Sequence, residues 1–197
     1  TAVPIVIPLI VSVIWWVVAA IMILNYPARM QFWQESIWLR GLMGVFVLIP
    51  CWVGMIVLVL YSKDLKKETL GVIWSADTGA YFAGKQFGKH KLIPCVSPGK
   101  TWEGLAGGMI AAVLVTVLGE AFILKLQSGT LLMIGVAVLV VMYALVGDLF
   151  ESMLKRNVNI KDSSQILPGH GGLLDRLDSV FAAVPLVALC ILMQWLY

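Results

Sequence analysis

The chain has 197 residues, 60% of them hydrophobic and 13% charged, and its mean hydropathy is +0.94. Soluble domains carry about 25% charged residues, so the composition excludes an ordinary soluble globular protein and indicates an integral membrane protein. The net charge of +3 is diluted by apolar sequence and gives no sign of nucleic-acid binding, and Cys51, Cys95 and Cys190 share no metal-ligand spacing and read as buried or idle thiols.

Ala2 to Leu24 is the first apolar run, followed by Leu42 to Tyr61, Leu105 to Leu124, Leu131 to Val146 and Val180 to Tyr197. Each reaches or approaches the ~20 residues that a membrane-crossing helix needs. Backbone in lipid must satisfy its own hydrogen bonds, so these runs predict helices. The expected fold is an all-α integral membrane protein, a polytopic bundle of five to six transmembrane helices forming one membrane domain over residues 1–197. The chain begins at Thr1 and meets an apolar run with no basic segment or small-residue cleavage site before it, so we expect no signal peptide and a fragment or trimmed chain.

Asn25-Tyr26-Pro27 stops the first run, and the connection after it mixes Arg29, Glu35 and Arg40 with Phe32, Trp33 and Trp38, as an interfacial belt does. Ser62 to Glu68 is a polar cluster that reads as a solvated connection. Thr69 to Gly84 reaches only about 24 Å as a helix, short of a ~30 Å core. It is expected as a short sixth span or a re-entrant segment. It also carries Asp77. An ionisable group at membrane depth is a functional candidate, because leaving it unpaired costs at least ~2.5 kcal/mol. The plainer alternative is an N-cap for a helix beginning at Thr78.

Residues 85–104 form the most basic loop, with Lys85, Lys89, Lys91 and Lys100. Its Ser-Pro-Gly-Lys-Thr lacks the full spacing of a nucleotide-binding P-loop. Ser97, Gly99, Lys100 and Thr101 nonetheless place hydroxyls, approachable backbone and a cation just before a predicted helix N-terminus, which suits a phosphate. Contact with anionic lipid is the simpler reading. Gly107 and Gly108 in the next run allow close helix packing, and the turn at Lys125 to Thr130 is too short for a domain.

Charge fixes the sidedness. If Thr69 to Gly84 does not cross, one face collects eleven of the 14 basic residues, and if it crosses, that face collects ten. Either way the loops at 85–104 and 147–179 share a face, which the positive-inside rule makes cytoplasmic.

The segment 147–179 concentrates acids, bases and one of the two histidines between long apolar runs. If the preceding helix continues, Asp148, Glu151, Ser152 and Lys155 fall on one face. Asp175 and Asp178 repeat the i, i+3 spacing on the helix entering the final span. Carboxylate pairs at two helix mouths suit a hard cation such as Mg²⁺. Pro168-Gly169-His170-Gly171-Gly172 allows tight turning and close approach to a ligand, and Lys155, Arg156, Lys161 and Arg176 supply positive charge. Together these suggest phosphoryl or nucleotidyl transfer.

The run Ser152-Met-Leu-Lys-Arg, Lys161-Asp162-Ser-Ser, Leu167-Pro-Gly-His-Gly-Gly and Leu174-Asp-Arg-Leu-Asp resembles, in order and spacing, the signature of the bacterial phosphatidate cytidylyltransferases, or CDP-diacylglycerol synthases. Gly147-Asp148, Glu151, Ser75 to Tyr81 and Ser97 to Gly104 resemble them too. The resemblance implies transfer of CMP from CTP to phosphatidic acid at the cytoplasmic side of a bacterial inner membrane. It implies Mg²⁺ on Asp148, Asp175 and Asp178, beside a monovalent cation such as K⁺. It also implies catalytic roles for Lys155, Arg156, Lys161, His170 and Arg176. Substrate contacts fall to Asp77, Ser97, Lys100, Thr101, Glu151, Ser152, Gly171 and Gly172. The expected partners are CTP, phosphatidic acid and the bilayer, with no nucleic acid and with a homodimer left open. Family members are longer, so the chain is expected to be the C-terminal part of one. The runners-up are a CTP-dependent kinase of a lipid alcohol and, in another class, a transporter using Asp77; an alcohol phosphatidyltransferase is disfavoured because its Asp-Gly-x2-Ala-Arg pattern is missing.

Overall fold

In the computed structural model, the described residues are 3–28, 33, 36–61, 63–119, 121, 130–164, 166 and 172–193. They form six long helices: α1 (Val3–Leu24), α2 (Ile37–Tyr61), α3 (Lys63–Phe87), α4 (Trp102–Gly119), α5 (Thr130–Asn157) and α6 (Leu174–Leu192). A small antiparallel hairpin, β1 (Lys91–Ile93) and β2 (Ser97–Thr101), separates α3 from α4. The helical bundle is as expected, and the hairpin is an addition inside what reads as a loop. Among the described residues, α1, α2, α4 and α5 contain stretches long and apolar enough to cross a membrane.

The final helix is the axis of the bundle. Every residue from Ala182 to Ile191 in α6 is buried, enclosed by α5, α2 and α1. Gly54 makes the α2 approach possible, since a Cβ there would stand 2.9 Å from Val184 Cγ1. By contrast α1 and α2 expose Ile7, Ile14, Ile21, Trp52 and Leu60, the apolar outer surface that lipid requires.

Two expectations for the middle of the chain are corrected. Lys63 to Glu68, expected as part of a solvated connection, belong to α3, which runs unbroken to Phe87, while Ser62 lies outside the described residues. Its 25 residues span about 37 Å at 1.5 Å per residue, the added length coming from the charged turn ahead of Thr69. Asp77 consequently lies inside the helix and caps nothing.

α3 lies along α4 through a seam of small residues. A Cβ on Gly79 would stand 2.7 Å from Ala111 Cβ, and one on Gly108 would stand 2.8 Å from the Ala76 carbonyl oxygen. The seam runs from Glu68 beside Gly119 to Gly84 beside Gly104. α3 therefore traverses the height of α4, and its seam sets the distance between Asp77 and the helices opposite.

Candidate active site

The hairpin is fixed at both ends before it presents any functional group. Thr101 closes β2 and caps α4: its Oγ1 accepts a hydrogen bond from the Gly104 N–H at 3.1 Å. Glu103, in the first turn of α4, accepts from the Lys89 and His90 N–H groups, both at 3.2 Å, and lies 2.6 Å from His90 Nδ1. On the other side, Arg156 Nε donates to the Val96 carbonyl at 3.4 Å, and Val96 is fully buried among Leu149, Phe150 and Met153. Arg156, expected as a catalytic cation, makes this contact between α5 and the turn of the hairpin.

Held in this way, Lys100 reaches α5 and forms an ion pair with Asp148. The two line a cavity of about 470 Å³ together with Asp77, Lys85, Ser97 and Thr101. Asp77 faces Asp148, Asp178 and Lys100 closely enough for direct electrostatic interaction, and the Ser179 hydroxyl is within hydrogen-bonding reach of it. Three helices, α3, α5 and α6, each contribute one aspartate to this centre.

α5 continues to Asn157, so the one-face alignment of Asp148, Glu151, Ser152 and Lys155 is realised. Ser152 Oγ donates to Asp148 Oδ1 at 3.4 Å. Lys155 Nζ lies 2.7 Å from Asp175 Oδ1 and 3.5 Å from Glu151 Oε1. Both Glu151 oxygens are buried with no hydrogen-bond partner.

Asp175 has a different environment from the other acids. Its Oδ2 accepts from the Gly172 N–H at 2.7 Å, the Ser163 N–H at 2.9 Å and the Ser163 hydroxyl at 3.0 Å, while Oδ1 takes Lys155. Asp175 precedes the apolar run that begins at Val180. Burial pushes its carboxyl up, but the Lys155 ammonium and the two N–H donors outweigh that and hold it well below the usual carboxylate range. In this arrangement Asp175 ties Ser163 and Gly172 to the start of α6, and Gly172, expected as a substrate contact, contributes a backbone donor.

Lys161 is exposed on the bend after α5, and Arg176 is exposed on the first turn of α6. His170 and Gly171 lie outside the described residues. Sequence reasoning did not single out Ser163, Ser179, His90 or Glu103. Ser163 lies within the Lys161-Asp162-Ser-Ser motif and was open to notice, whereas the pairing of Glu103 with His90 needs the hairpin.

Among the described residues, no three His, Cys, Asp or Glu side chains form a ready-made metal cage. The donor set nevertheless fits a hard cation that takes one or two carboxylates and completes its shell with phosphates. Asp77, Asp148 and Asp178 converge with Lys100 beside them, and the buried Glu151 carboxyl has Lys155 3.5 Å away. Asp178 accepts the N–H of its neighbour Ser179 at 2.6 Å.

The comparisons with known proteins agree with these motifs. The chain is 44% identical over 182 residues to a phosphatidate cytidylyltransferase of Pseudomonas aeruginosa, covering 91% of this chain and 67% of that protein. It is 42% identical over 188 residues to one from Haemophilus influenzae, covering 90% and 65%. A third, from Staphylococcus epidermidis, is 45% identical over 116 residues, 59% of this chain and 44% of that protein. The chain therefore spans about two thirds of the length of the first two relatives and less than half of the third. The sequence profile of the cytidylyltransferase family matches residues 2–194, from the first helix through the last, and the chain belongs to that family.

Proposed function

We propose that this protein transfers CMP from CTP to phosphatidic acid, giving CDP-diacylglycerol and pyrophosphate. The observation that carries the proposal is the meeting of Lys100 with Asp148 where Asp77 and Asp178 also converge, on a chain whose relatives are phosphatidate cytidylyltransferases. A transporter would use Asp77 along a path of polar positions; here Asp77 belongs to a cluster of acids at one end of the bundle.

A phosphatidate oxygen is anionic at neutral pH, so its attack on the α-phosphorus of CTP needs no dedicated base. The bond formed is oxygen to α-phosphorus, and the bond broken joins that phosphorus to the bridging oxygen of pyrophosphate, which leaves with the electron pair. The chain has to supply in-line positioning and neutralisation of the leaving group. Lys100 is placed to exchange Asp148 for a phosphate of the nucleotide, and Ser97 adds a hydroxyl beside it. The Thr101 cap, the Glu103 clamp and the Arg156 tie keep that strand from moving during the exchange. Lys155, fixed by Asp175, adds positive charge two turns further along the same face of α5.

Mg²⁺, when bound, would neutralise phosphate charge and align the triphosphate. Asp148 and Asp178 would hold it, with Asp77 facing them and Asp175 organising the loop instead. A monovalent cation beside it would draw on Glu151, whose carboxyl oxygens are buried. The basic loops at 85–104 and after α5 support, by the positive-inside rule, a cytoplasmic orientation for this end of the bundle, and the bacterial relatives support a bacterial inner membrane.

The test is to incubate the detergent-purified protein with phosphatidate, Mg²⁺ and CTP labelled on the α-phosphate. Label is expected in a lipid product and lost in Asp178→Asn. Lipid labelling from γ-labelled CTP with none from α-labelled CTP would identify a lipid kinase and overturn the proposal.

A further inference from the structure

The acid centre is reached from two sides. One approach is the polar cavity that holds Lys100. The other is a groove of about 400 Å³ between α2 and the α5–α6 pair, lined by Arg40 as well as by Lys155 and Asp178. Arg40, Met43, Gly44, Val47 and Leu48 all line the groove, and their i, i+3, i+4, i+7, i+8 spacing is one face of α2. Phe181 and Leu154 form the opposite wall.

A second apolar cavity, of about 670 Å³, lies between α1 and α2, and Trp33 and Met43 line both. Met43 is thus the partition between two apolar troughs that meet one helical turn below Arg40. Leu42 and Leu48, one on each trough, are 48% and 50% exposed, so both troughs open toward the lipid side. Gly44 keeps its trough wide, since a Cβ there would meet no atom within 4 Å.

The charges decide the occupant. Lys155 is engaged by Asp175 and Glu151, while Arg40 is exposed and pairs with no acidic side chain among the described residues. Lys155 already faces Asp175 and Glu151, so an anionic head in this groove is drawn to the guanidinium. That guanidinium presents a planar fork suited to a phosphate. A peptide or a neutral lipid would leave it unused.

Resting on the proposed reaction, we infer that α2 is the lipid-receiving helix. Arg40 is a positioning residue that binds the phosphate of a two-chain phosphomonoester lipid, and the chains lie in the two troughs on either side of Met43. The nucleotide then reaches the acid centre from the cavity that holds Lys100, and the lipid from the groove beside α2.

The experiment uses dioleoyl phosphatidate carrying a photoreactive diazirine in its acyl chains, added to the detergent-purified chain without CTP, with crosslinks mapped by mass spectrometry. Crosslinks are expected on residues 39–48 and on Phe181. They should fall about tenfold in Arg40→Gln, the scale of one lost charge-assisted bond. Gly44→Leu should remove those on the α2–α6 side, and the open space around Gly44 means the protein itself tolerates the larger side chain. Unlabelled dioleoyl phosphatidate should compete, whereas inorganic phosphate and dioleoyl phosphatidylcholine should not. Crosslinks concentrated on α3 and α4, equal labelling of Arg40→Gln and wild type, or equal competition by phosphatidylcholine would each overturn the inference. Because the readout needs no turnover, crosslinking that depends on Arg40 in a chain that transfers no CMP would leave the inference standing while the proposed reaction fell.

Discussion

Asp175 and Asp178 stand one turn apart at the start of α6 and look equivalent in sequence, yet the regions they belong to work in opposite ways. Around Asp175 every acceptor position is filled: a lysine, two backbone N–H groups and a serine hydroxyl converge on one carboxylate. Around Asp178 acids face acids, with Asp77 and Asp148 arriving from two other helices and Lys100 the cation among them. The first region is satisfied by the chain alone and holds a loop in place. The second is a concentration of negative charge whose balance has to come from something that binds. Identical residues at identical spacing acquire different work because hydrogen-bond donors come from the tertiary neighbours and not from the helix that carries the acid.

The largest effect is expected at the unbalanced centre. Asp178→Asn keeps the shape and removes one of the converging charges, so it should lower CMP transfer by at least ~100-fold while leaving the thermal midpoint in detergent unchanged or raised. A transfer rate within a few-fold of wild type would place the reacting phosphates elsewhere and erase the contrast between the two regions.

Asp175→Asn should do the reverse, acting first on stability. It leaves the Lys155 ammonium partly buried without its closest counter-charge, a loss of about 3 kcal/mol, read as a fall in the thermal midpoint. Sign matters for its pH dependence. A carboxyl held below its unfolded value stabilises the fold at pH values above that unfolded value, near 4, and the benefit is lost as pH falls further. The gap between wild type and Asp175→Asn should therefore be full at pH 7 and shrink below pH ~4. A gap independent of pH would show that packing, and not the ionised carboxylate, closes this loop.

How much of this was legible beforehand varied by residue. The α5 face of Asp148, Glu151, Ser152 and Lys155 followed from helical spacing once the helix continued past the apolar run, and it did. Lys100 just ahead of a helix N-terminus was also readable, because Thr101 is a good cap and an apolar run follows. The start of α3 was not, because Lys63 to Glu68 has the composition of a loop; its helix is held by the small-residue seam with α4, a property of the pair. The hairpin escaped notice because its strands are short and contain Pro98, and its stability rests on Glu103 and Arg156 from outside it. Asp77 could be flagged as an ionisable group, but its partners lie some 70 and 100 residues away in sequence.

The seam itself supplies a smaller, graded perturbation. Gly79→Ala places a Cβ 2.7 Å from Ala111 Cβ and 2.8 Å from the Gly107 carbonyl oxygen, so α3 must move away from α4 at a cost of about 1–3 kcal/mol. Asp77 lies two residues away, and CMP transfer should fall along with the thermal midpoint. Gly71, on the same helix, has only Val115 Cγ1 at 3.8 Å near its missing Cβ. Gly71→Ala should therefore leave both quantities close to wild type, and equal damage from the two would mean that the seam does not set the position of Asp77.

The smallest effect separates the two jobs of the hairpin. Thr101 Oγ1 accepts the Gly104 N–H and also borders the Lys100 cavity. Thr101→Val removes the acceptor with little change in shape and should cost about 1 kcal/mol of stability, while Thr101→Ser keeps the cap and should be nearly neutral. If the cap only anchors α4, Thr101→Val lowers the thermal midpoint and leaves the KM for CTP unchanged. If the cap also aims Lys100, the KM for CTP rises in Thr101→Val and recovers in Thr101→Ser, because serine restores the same oxygen at the same place. The second outcome is the one expected, since Lys100 is the residue immediately before the cap and its reach to Asp148 depends on where β2 ends.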